Sequence, residues 1–180
     1  MKKVIFGIFI FLAALLLYIV YPIWINPKSP KESEVYKFQG LNIEISYSRP
    51  SKRGRLIFGN EDQKPLLHYG KYWRLGANAP TTITFSEDVK FAGKYLKQGK
   101  YCMFVTPYEK YWKLTLNSQI NSSSYERPDP SFDVFSKEIK LNYNSKLVEQ
   151  LKIFLSNNHS NIDLSIEWDN VSVDIPIQLN

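Results

Sequence analysis

Two stretches of this chain contain the residue types that can bind a ligand. The first is the run from Arg49 to Arg55, RPSKRGR, which combines three arginines and a lysine with a glycine. Guanidinium groups bind carboxylate or phosphate oxygens in pairs, and a glycine turn lets backbone amides approach the same anion. The run therefore predicts an anion-binding loop. In the structural alternative, Arg49 and Arg55 pair with acidic side chains and fix the loop, while Lys52 and Arg53 are solvated.

The second stretch covers residues 69–81, YGKYWRLGANAPT. Trp73 and Arg74 are adjacent, and Asn78 follows closely, so one loop could present a stacking face, a charged fork and an amide. Sugar and peptide sites often use this mixture. The alternative is again structural: Trp73 belongs to the core, Gly76 takes a positive φ, and Asn78 bonds its own loop.

The ligand-binding candidates are therefore Arg49, Arg55, Trp73, Arg74 and Asn78. If both stretches serve one site, they should meet at one end of the fold. Residues for catalysis are scarce, because His68 and His159 are the only histidines and no His or Cys spacing resembles a metal site. We therefore predict no catalytic residue, no metal and no cofactor.

The N-terminus predicts a membrane segment. From Val4 to Ile25 the chain has 22 consecutive positions without a charge, and roughly 20 apolar residues can cross a bilayer as a helix. This run exceeds the ~7–15 residue core of a signal peptide, and no small-residue cleavage site follows Leu17. Residues 1–25 are thus predicted to be an uncleaved signal anchor that contacts the membrane through residues 4–25, with a cleaved signal as the alternative.

The flanking charges leave the orientation of this segment undecided. Lys2 and Lys3 precede it, and Lys28, Lys31 and Lys37 follow it, so the positive-inside rule is nearly balanced. A short charged head before a large domain favours transfer of that domain. We expect a single-pass protein with its C-terminal domain outside the cytoplasm, on the periplasmic side of the inner membrane.

The remaining chain is predicted to form a polar tether over residues 26–38 and one domain over residues 39–180. Without Lys2 and Lys3, basic residues exceed acidic ones by four. This excess favours anionic partners but is too small for a nucleic-acid-binding surface. Cys102, the single cysteine, excludes an intramolecular disulfide and is expected to be buried.

Apolar residues alternate with polar ones over most of residues 41–177, a period typical of half-buried strands. Residues 146–155 fit both a helix and a strand, and we interpret 150–155 as a strand because of the surrounding pattern. Asp169-Asn170 predicts a turn before a last strand at 171–177. The chain is therefore predicted to be all-β, an antiparallel β-sandwich or jelly-roll-like domain after one transmembrane helix.

Several short motifs occur together between residues 39 and 117: SYSRP, GR-IFG, YG-YWR-GAN, TTITF and W-L-LN. In this combination the chain resembles the bacterial domain-of-unknown-function family 2911. The resemblance implies an exported or membrane-tethered β-domain of the cell envelope and brings no established activity. The positions that match its motifs and carry polar, glycine or aromatic residues are Arg49, Gly54, Arg55, Trp73, Arg74, Gly76 and Asn78.

The leading functional hypothesis is a binding or scaffold domain that holds an anionic or polyhydroxylated ligand, such as a small anion or a glycan, near the two loops. An envelope hydrolase that uses arginine and carboxylate groups is the alternative, and recognition of an envelope protein through a sheet edge is a third possibility. A ligand site requires Arg55 and Arg74 at one open cleft. Catalysis additionally requires an acid with a raised pKa beside them.

Overall fold

The computed structural model describes residues 2–20, 27–120, 125–158 and 161–179. Its first element, α1 (Lys2–Val20), is a 19-residue apolar helix without a buried residue. A helix of this length measures about 28 Å, close to the ~30 Å thickness of the membrane hydrocarbon core. Length and composition fit a membrane anchor and equally a signal sequence. The rest of the predicted span, like His159, lies outside the described residues.

The remaining described ranges form two antiparallel sheets and a short parallel pair. The larger sheet has the order β1-β2-β5-β8-β9-β10, the smaller has the order β11-β12-β6-β7, and β3 pairs with β4. The strands are β1 (Lys31–Phe38), β2 (Leu41–Ser48), β3 (Phe58–Gly59), β4 (Leu67–His68), β5 (Thr81–Phe85), β6 (Val89–Phe91), β7 (Lys94–Leu96), β8 (Gly99–Pro107), β9 (Tyr111–Asn117), β10 (Asp133–Lys140), β11 (Asn142–Asn158) and β12 (Asn161–Leu179).

The two sheets pack face to face around one apolar core. Phe91 of β6 lies against Phe135 of β10, with ring centroids 5.0 Å apart, and against Phe85 of β5 at 5.9 Å. The Ile153 amide of β11 also donates a hydrogen bond of 3.0 Å to the Tyr47 hydroxyl of β2. These contacts join the smaller sheet to the larger one, so the predicted antiparallel sandwich is confirmed.

The alternation of apolar and polar residues in the sequence corresponds to alternating burial along the strands. On β2, Leu41, Ile43 and Ile45 are fully buried while Asn42 and Glu44 are exposed, because successive side chains of a strand point to opposite faces. Cys102 on β8 is also fully buried, as predicted.

The predicted tether over residues 26–38 is wrong for residues 31–38, which form β1. This strand pairs along its whole length with β2, from Lys31↔Ser48 to Phe38↔Leu41. The polar composition of this segment did not indicate a strand. The reason for pairing is that Tyr36 and Phe38, on alternate positions, pack against the core, although both remain partly exposed. An edge strand tolerates charged residues on its open face.

In the smaller sheet the strands are longer than the sequence pattern indicated. The strand predicted at 150–155 is confirmed and extends over Asn142–Asn158 as β11. The predicted turn at Asp169-Asn170 is wrong, since both residues lie within β12. Asp169 adopts a φ of 58°, and the pairing shifts register on both sides of Val148↔Asp169. The Asp-Asn pair that suggested a turn therefore produces an irregularity like a β-bulge, with Asp169 in the left-handed region.

We predict that Glu34→Gln stabilises the protein at neutral pH. Burial raises the pKa of the Glu34 carboxyl on β1, with a smaller contribution from nearby Glu32, while a hydrogen bond to the Leu155 backbone opposes the shift. The native state therefore binds this proton more tightly than the unfolded chain, and the Glu34 contribution to stability falls as pH rises through the raised pKa. The melting temperature of Glu34→Gln should exceed that of the wild type at pH 7.

The matched control is Glu44→Gln on the exposed face of β2, which should leave the melting temperature nearly unchanged. The advantage of Glu34→Gln should disappear below the ordinary glutamate pKa of 4.5, because the wild-type carboxyl is then protonated in both states. An advantage that stays constant from pH 4 to pH 8 would contradict this assignment.

Candidate ligand-binding site

The basic loop at residues 49–55 is held by backbone hydrogen bonds to β11. The Leu151 amide donates to the Pro50 carbonyl at 3.0 Å, and the Lys52 amide donates to the Glu149 carbonyl at 2.7 Å. A further antiparallel bridge joins Ser51 to Gln150. Because the loop follows β2 of the larger sheet, these bonds also connect the two sheets at this end of the sandwich.

Arg49 is a structural residue of this loop. Its guanidinium forms a 2.6 Å ion pair with Glu32 of β1, and its Nε donates to the Leu151 carbonyl at 3.1 Å. The side chain lies outside the cavity described below. The structure thus separates Arg49 from the other four ligand-binding candidates.

The other basic residues of the loop have different partners. Arg55 donates to the carbonyls of Lys52 at 2.9 Å and Ser51 at 2.6 Å, so it fixes the loop through backbone oxygens and not through an acid. Lys52 forms a 2.6 Å ion pair with Asp169 in which both side chains are largely buried, contrary to the solvated alternative. Arg53 is exposed, and its amide donates to the Glu149 carboxylate at 2.7 Å.

The aromatic segment at residues 69–81 is anchored to β8. Trp73 and Val105 exchange two backbone hydrogen bonds of 2.8 and 2.9 Å. The Trp73 side chain is buried, as the structural alternative expected, and its indole nitrogen donates to the Gly76 carbonyl at 3.4 Å. Arg74 donates to the Asn78 carbonyl at 3.1 Å, and its guanidinium lies 4.6 Å from the Tyr125 ring centroid.

These two segments meet at one open cavity of about 580 Å³, which we call the arginine cavity. Arg55, Trp73, Arg74 and Asn78 all lie in its wall, as expected if the two stretches serve one site. The described residues that line it are Lys28, Ser29, Pro50, Ser51, Arg53, Arg55, Leu66, Leu67, Tyr72, Trp73, Arg74, Gly76, Ala77, Asn78, Tyr125 and Trp168.

The lining of the arginine cavity is basic and aromatic. Lys28, Arg53, Arg55 and Arg74 contribute positive charge, and no carboxyl side chain is among its described lining residues. Burial raises the pKa of Tyr72 to about 12. This phenol therefore remains a neutral hydrogen-bond donor at physiological pH.

Sequence reasoning missed several of these residues. Lys28 and Ser29 fall within the predicted tether, and Trp168 belongs to a strand more than 90 positions beyond Trp73. Tyr125 follows a serine-rich stretch that carries no motif. The alternating pattern around Trp168 indicated burial, but no local signal indicated which cavity it would line.

An aromatic wall lies next to the arginine cavity and consists of four rings: Phe58, Trp73, Trp112 and Trp168. Trp73 stacks on Trp168 with centroids 5.7 Å apart, and it meets Trp112 edge to face at 5.5 Å. Phe58 contacts all three tryptophans at 5.3 to 6.1 Å. The Trp112 nitrogen is buried without a hydrogen-bond partner among the described residues.

A second cavity of about 510 Å³, which we call the tyrosine cavity, also borders this wall. Phe58 and Trp112 belong to its lining, whereas Trp73 and Trp168 line the arginine cavity. The described residues that line it are Lys52, Leu56, Phe58, Tyr69, Tyr108, Glu109, Trp112, Leu141, Tyr143, Leu147, Asp169, Asn170 and Val171. No group of acidic, histidine or cysteine side chains in the described ranges has the arrangement of a metal site.

The fold and the site place this protein in a structural class. It is an antiparallel β-sandwich with an open basic cavity, preceded by an apolar N-terminal helix. Residues 29–177 match the family described as Protein of unknown function (DUF2911), and the chain belongs to that family. The matched region includes β1. Comparisons with curated proteins and with solved structures gave no match.

We predict that Gly76→Ala strongly destabilises the fold. Gly76 has a φ of 153°, and a Cβ there would lie 2.8 Å from the Ser48 carbonyl oxygen and 3.3 Å from the Thr81 hydroxyl. Because the obstructing atom is backbone, relief requires movement of β2. Urea unfolding should give a loss of more than about 2 kcal/mol.

Gly54→Ala is the matched control for this substitution. Gly54 also has a positive φ, 70°, but nothing lies within 4 Å of the position that its Cβ would take, so only the backbone conformation is disfavoured. Its loss should be about 1 kcal/mol. Equal losses at both positions would rule out close approach to Ser48 as the constraint on Gly76.

Proposed function

We propose that this protein is a membrane-anchored extracytoplasmic domain that binds an anionic ligand in the arginine cavity. The observation that carries the proposal is that four cationic residues line one cavity whose described lining includes no carboxyl group. Cationic residues that line one cavity repel one another, and a bound anion relieves that repulsion.

The other lining residues of the arginine cavity indicate further chemical features of its ligand. The half-buried Tyr72 and the exposed Tyr125 present aromatic surface, while Asn78, Ser51 and the neutral phenol of Tyr72 supply hydrogen-bonding groups. Flat rings beside scattered polar groups suit a ligand with both apolar faces and hydroxyls. A sugar that carries a carboxylate or phosphate combines these features with negative charge.

The cavity lies close along the chain to the N-terminal helix. Lys28 and Ser29 contribute to its lining, and Val20, the last residue of α1, precedes them closely in the chain. From Val20 to Lys28 a fully extended chain covers about 29 Å at most. With α1 as an anchor, the cavity is held near the membrane surface, where envelope glycans and lipid headgroups are both within reach.

The two rival functions receive less support. A hydrolase would need an acid beside the arginines, but Glu34, the carboxyl group with a raised pKa among the described residues, lies on β1 and outside the cavity lining. A pure scaffold would have its arginines paired and no cleft. The Arg49–Glu32 ion pair fits a scaffold, but Arg53, Arg55 and Arg74 line an open cavity, which a scaffold does not need.

The test is a binding measurement on the full chain in lauryldimethylamine-oxide micelles, a detergent without sugar or phosphate. The probes are glucuronate, glucose 6-phosphate and dihexanoyl phosphatidic acid, with glucose and dihexanoyl phosphatidylcholine as partners without net charge. We expect saturable binding of at least one anion, weaker at high salt because the attraction is screened. Arg74→Gln and Arg53→Gln should each weaken it about tenfold or more.

Arg49→Gln is the control, because Arg49 belongs to the same loop but pairs with Glu32 outside the cavity. It should lower stability and leave anion affinity unchanged. Binding of the sugar anions alone, or of phosphatidic acid alone, would distinguish a soluble ligand from a lipid headgroup. No saturable binding by a folded protein, equal binding of glucose, or equal loss of affinity in Arg49→Gln would overturn the proposal.

A further inference from the structure

We infer that the tyrosine cavity is a second binding site, and that its ligand is a short neutral oligosaccharide. This inference concerns different residues from the arginine cavity and does not depend on the function proposed there. The aromatic wall contributes Phe58 and Trp112 to this side. The charge, the aromatic surface, the polar groups and the size of the cavity together support this ligand class.

The charge of this cavity is opposite in character to that of the first. Lys52 is the single cationic side chain among its described lining residues, and it is neutralised by Asp169 at 2.6 Å. Glu109 adds an exposed carboxylate. An anion would gain no net attraction here, so the ligand class proposed for the arginine cavity does not fit.

The aromatic surface of the cavity is large and held in position. Tyr69, Tyr108 and Tyr143 join Phe58 and Trp112 in the lining. The Tyr143 hydroxyl donates to the Glu109 carbonyl at 3.0 Å, and Tyr108 stacks on Tyr111 with centroids 4.7 Å apart. Rings that are ordered before binding offer apolar contact at a low entropic cost, and the C–H faces of a pyranose ring match such surfaces.

The polar groups supply both acceptors and donors. The Glu109 and Asp169 carboxylates can accept hydrogen bonds from sugar hydroxyls, while the Asn170 amide and the Lys52 ammonium can donate. Burial, followed by the nearby Glu109 charge, raises the pKa of Tyr69, which keeps its phenol protonated as a further donor. Vicinal hydroxyls, each both donor and acceptor, suit this mixed set.

A small ammonium ion is an alternative ligand, because aromatic rings beside a carboxylate can also bind such a cation. The size of the cavity favours a sugar over this ion. The volume of about 510 Å³ lies within the usual range of small-molecule sites, roughly 300–1,000 Å³. A small cation would leave most of this space and most of the rings without contact. A ligand of two linked sugar rings can reach several walls at once.

The experiment is a titration of the full chain in lauryldimethylamine-oxide micelles with cellobiose, maltose and N,N′-diacetylchitobiose. Binding is followed by tryptophan fluorescence and by the indole N–H resonance of Trp112, assigned through its loss in Trp112→Phe. We expect at least one disaccharide to bind saturably and to shift this resonance. Tyr143→Ala and Glu109→Ala, both at exposed positions, should weaken that binding about tenfold.

Two control variants test whether disaccharide binding is specific to the tyrosine cavity. Tyr95→Ala removes an exposed tyrosine on β7 outside both cavities, and Arg74→Gln alters the arginine cavity; neither should change disaccharide affinity. Failure of all three sugars to bind a protein with native chemical-shift dispersion would overturn the inference. So would binding that survives both Tyr143→Ala and Glu109→Ala, or binding that Arg74→Gln abolishes.

Discussion

The arrangement of both cavities depends on the backbone pairing between the loop at residues 49–55 and β11. Bonds from Leu151 to Pro50 and from Lys52 to Glu149 connect a loop of the larger sheet to a strand of the smaller one. They also decide where each basic side chain lies. Arg53 and Arg55 reach the arginine cavity, whereas Lys52, which precedes both in the chain, reaches Asp169 beside the tyrosine cavity. Because backbone hydrogen bonds hold this loop in place, its basic side chains are distributed between two cavities.

The aromatic wall is the second constraint, and it follows from the first. Its four rings come from β3, the segment before β5, β9 and β12, so they assemble only when both sheets are in register. Packed rings resist deformation because interiors of this density leave little free volume. The wall supports both cavities with one set of contacts. It borders both a basic cavity and one whose single described cation is neutralised.

Four of the seven described non-glycine residues with a positive φ lie around these sites. Arg53, Leu75, Asn78 and Asp169 all have φ values between 52° and 59°, a region that costs energy for residues other than glycine. Each lies in or beside a cavity wall. At Asp169 the unusual conformation sits within a continuous strand and accompanies the ion pair with Lys52. The surrounding pairing compensates for this local cost, as expected where a fold must orient particular side chains.

The amino-acid sequence alone predicts the N-terminal apolar helix, the alternating strands, the burial of Cys102 and the family, because these depend on local periodicity and on motifs. It also named Arg55, Trp73, Arg74 and Asn78, which share one cavity. The ion pair of Arg49 with Glu32, the strand at residues 31–38 and the second cavity depend on how distant parts of the chain pack, so the structure was needed to find them. Periodicity reports which face of an element is apolar. The partners of a loop about 100 residues distant along the chain, such as Pro50 and Leu151, are set by how the two sheets pack.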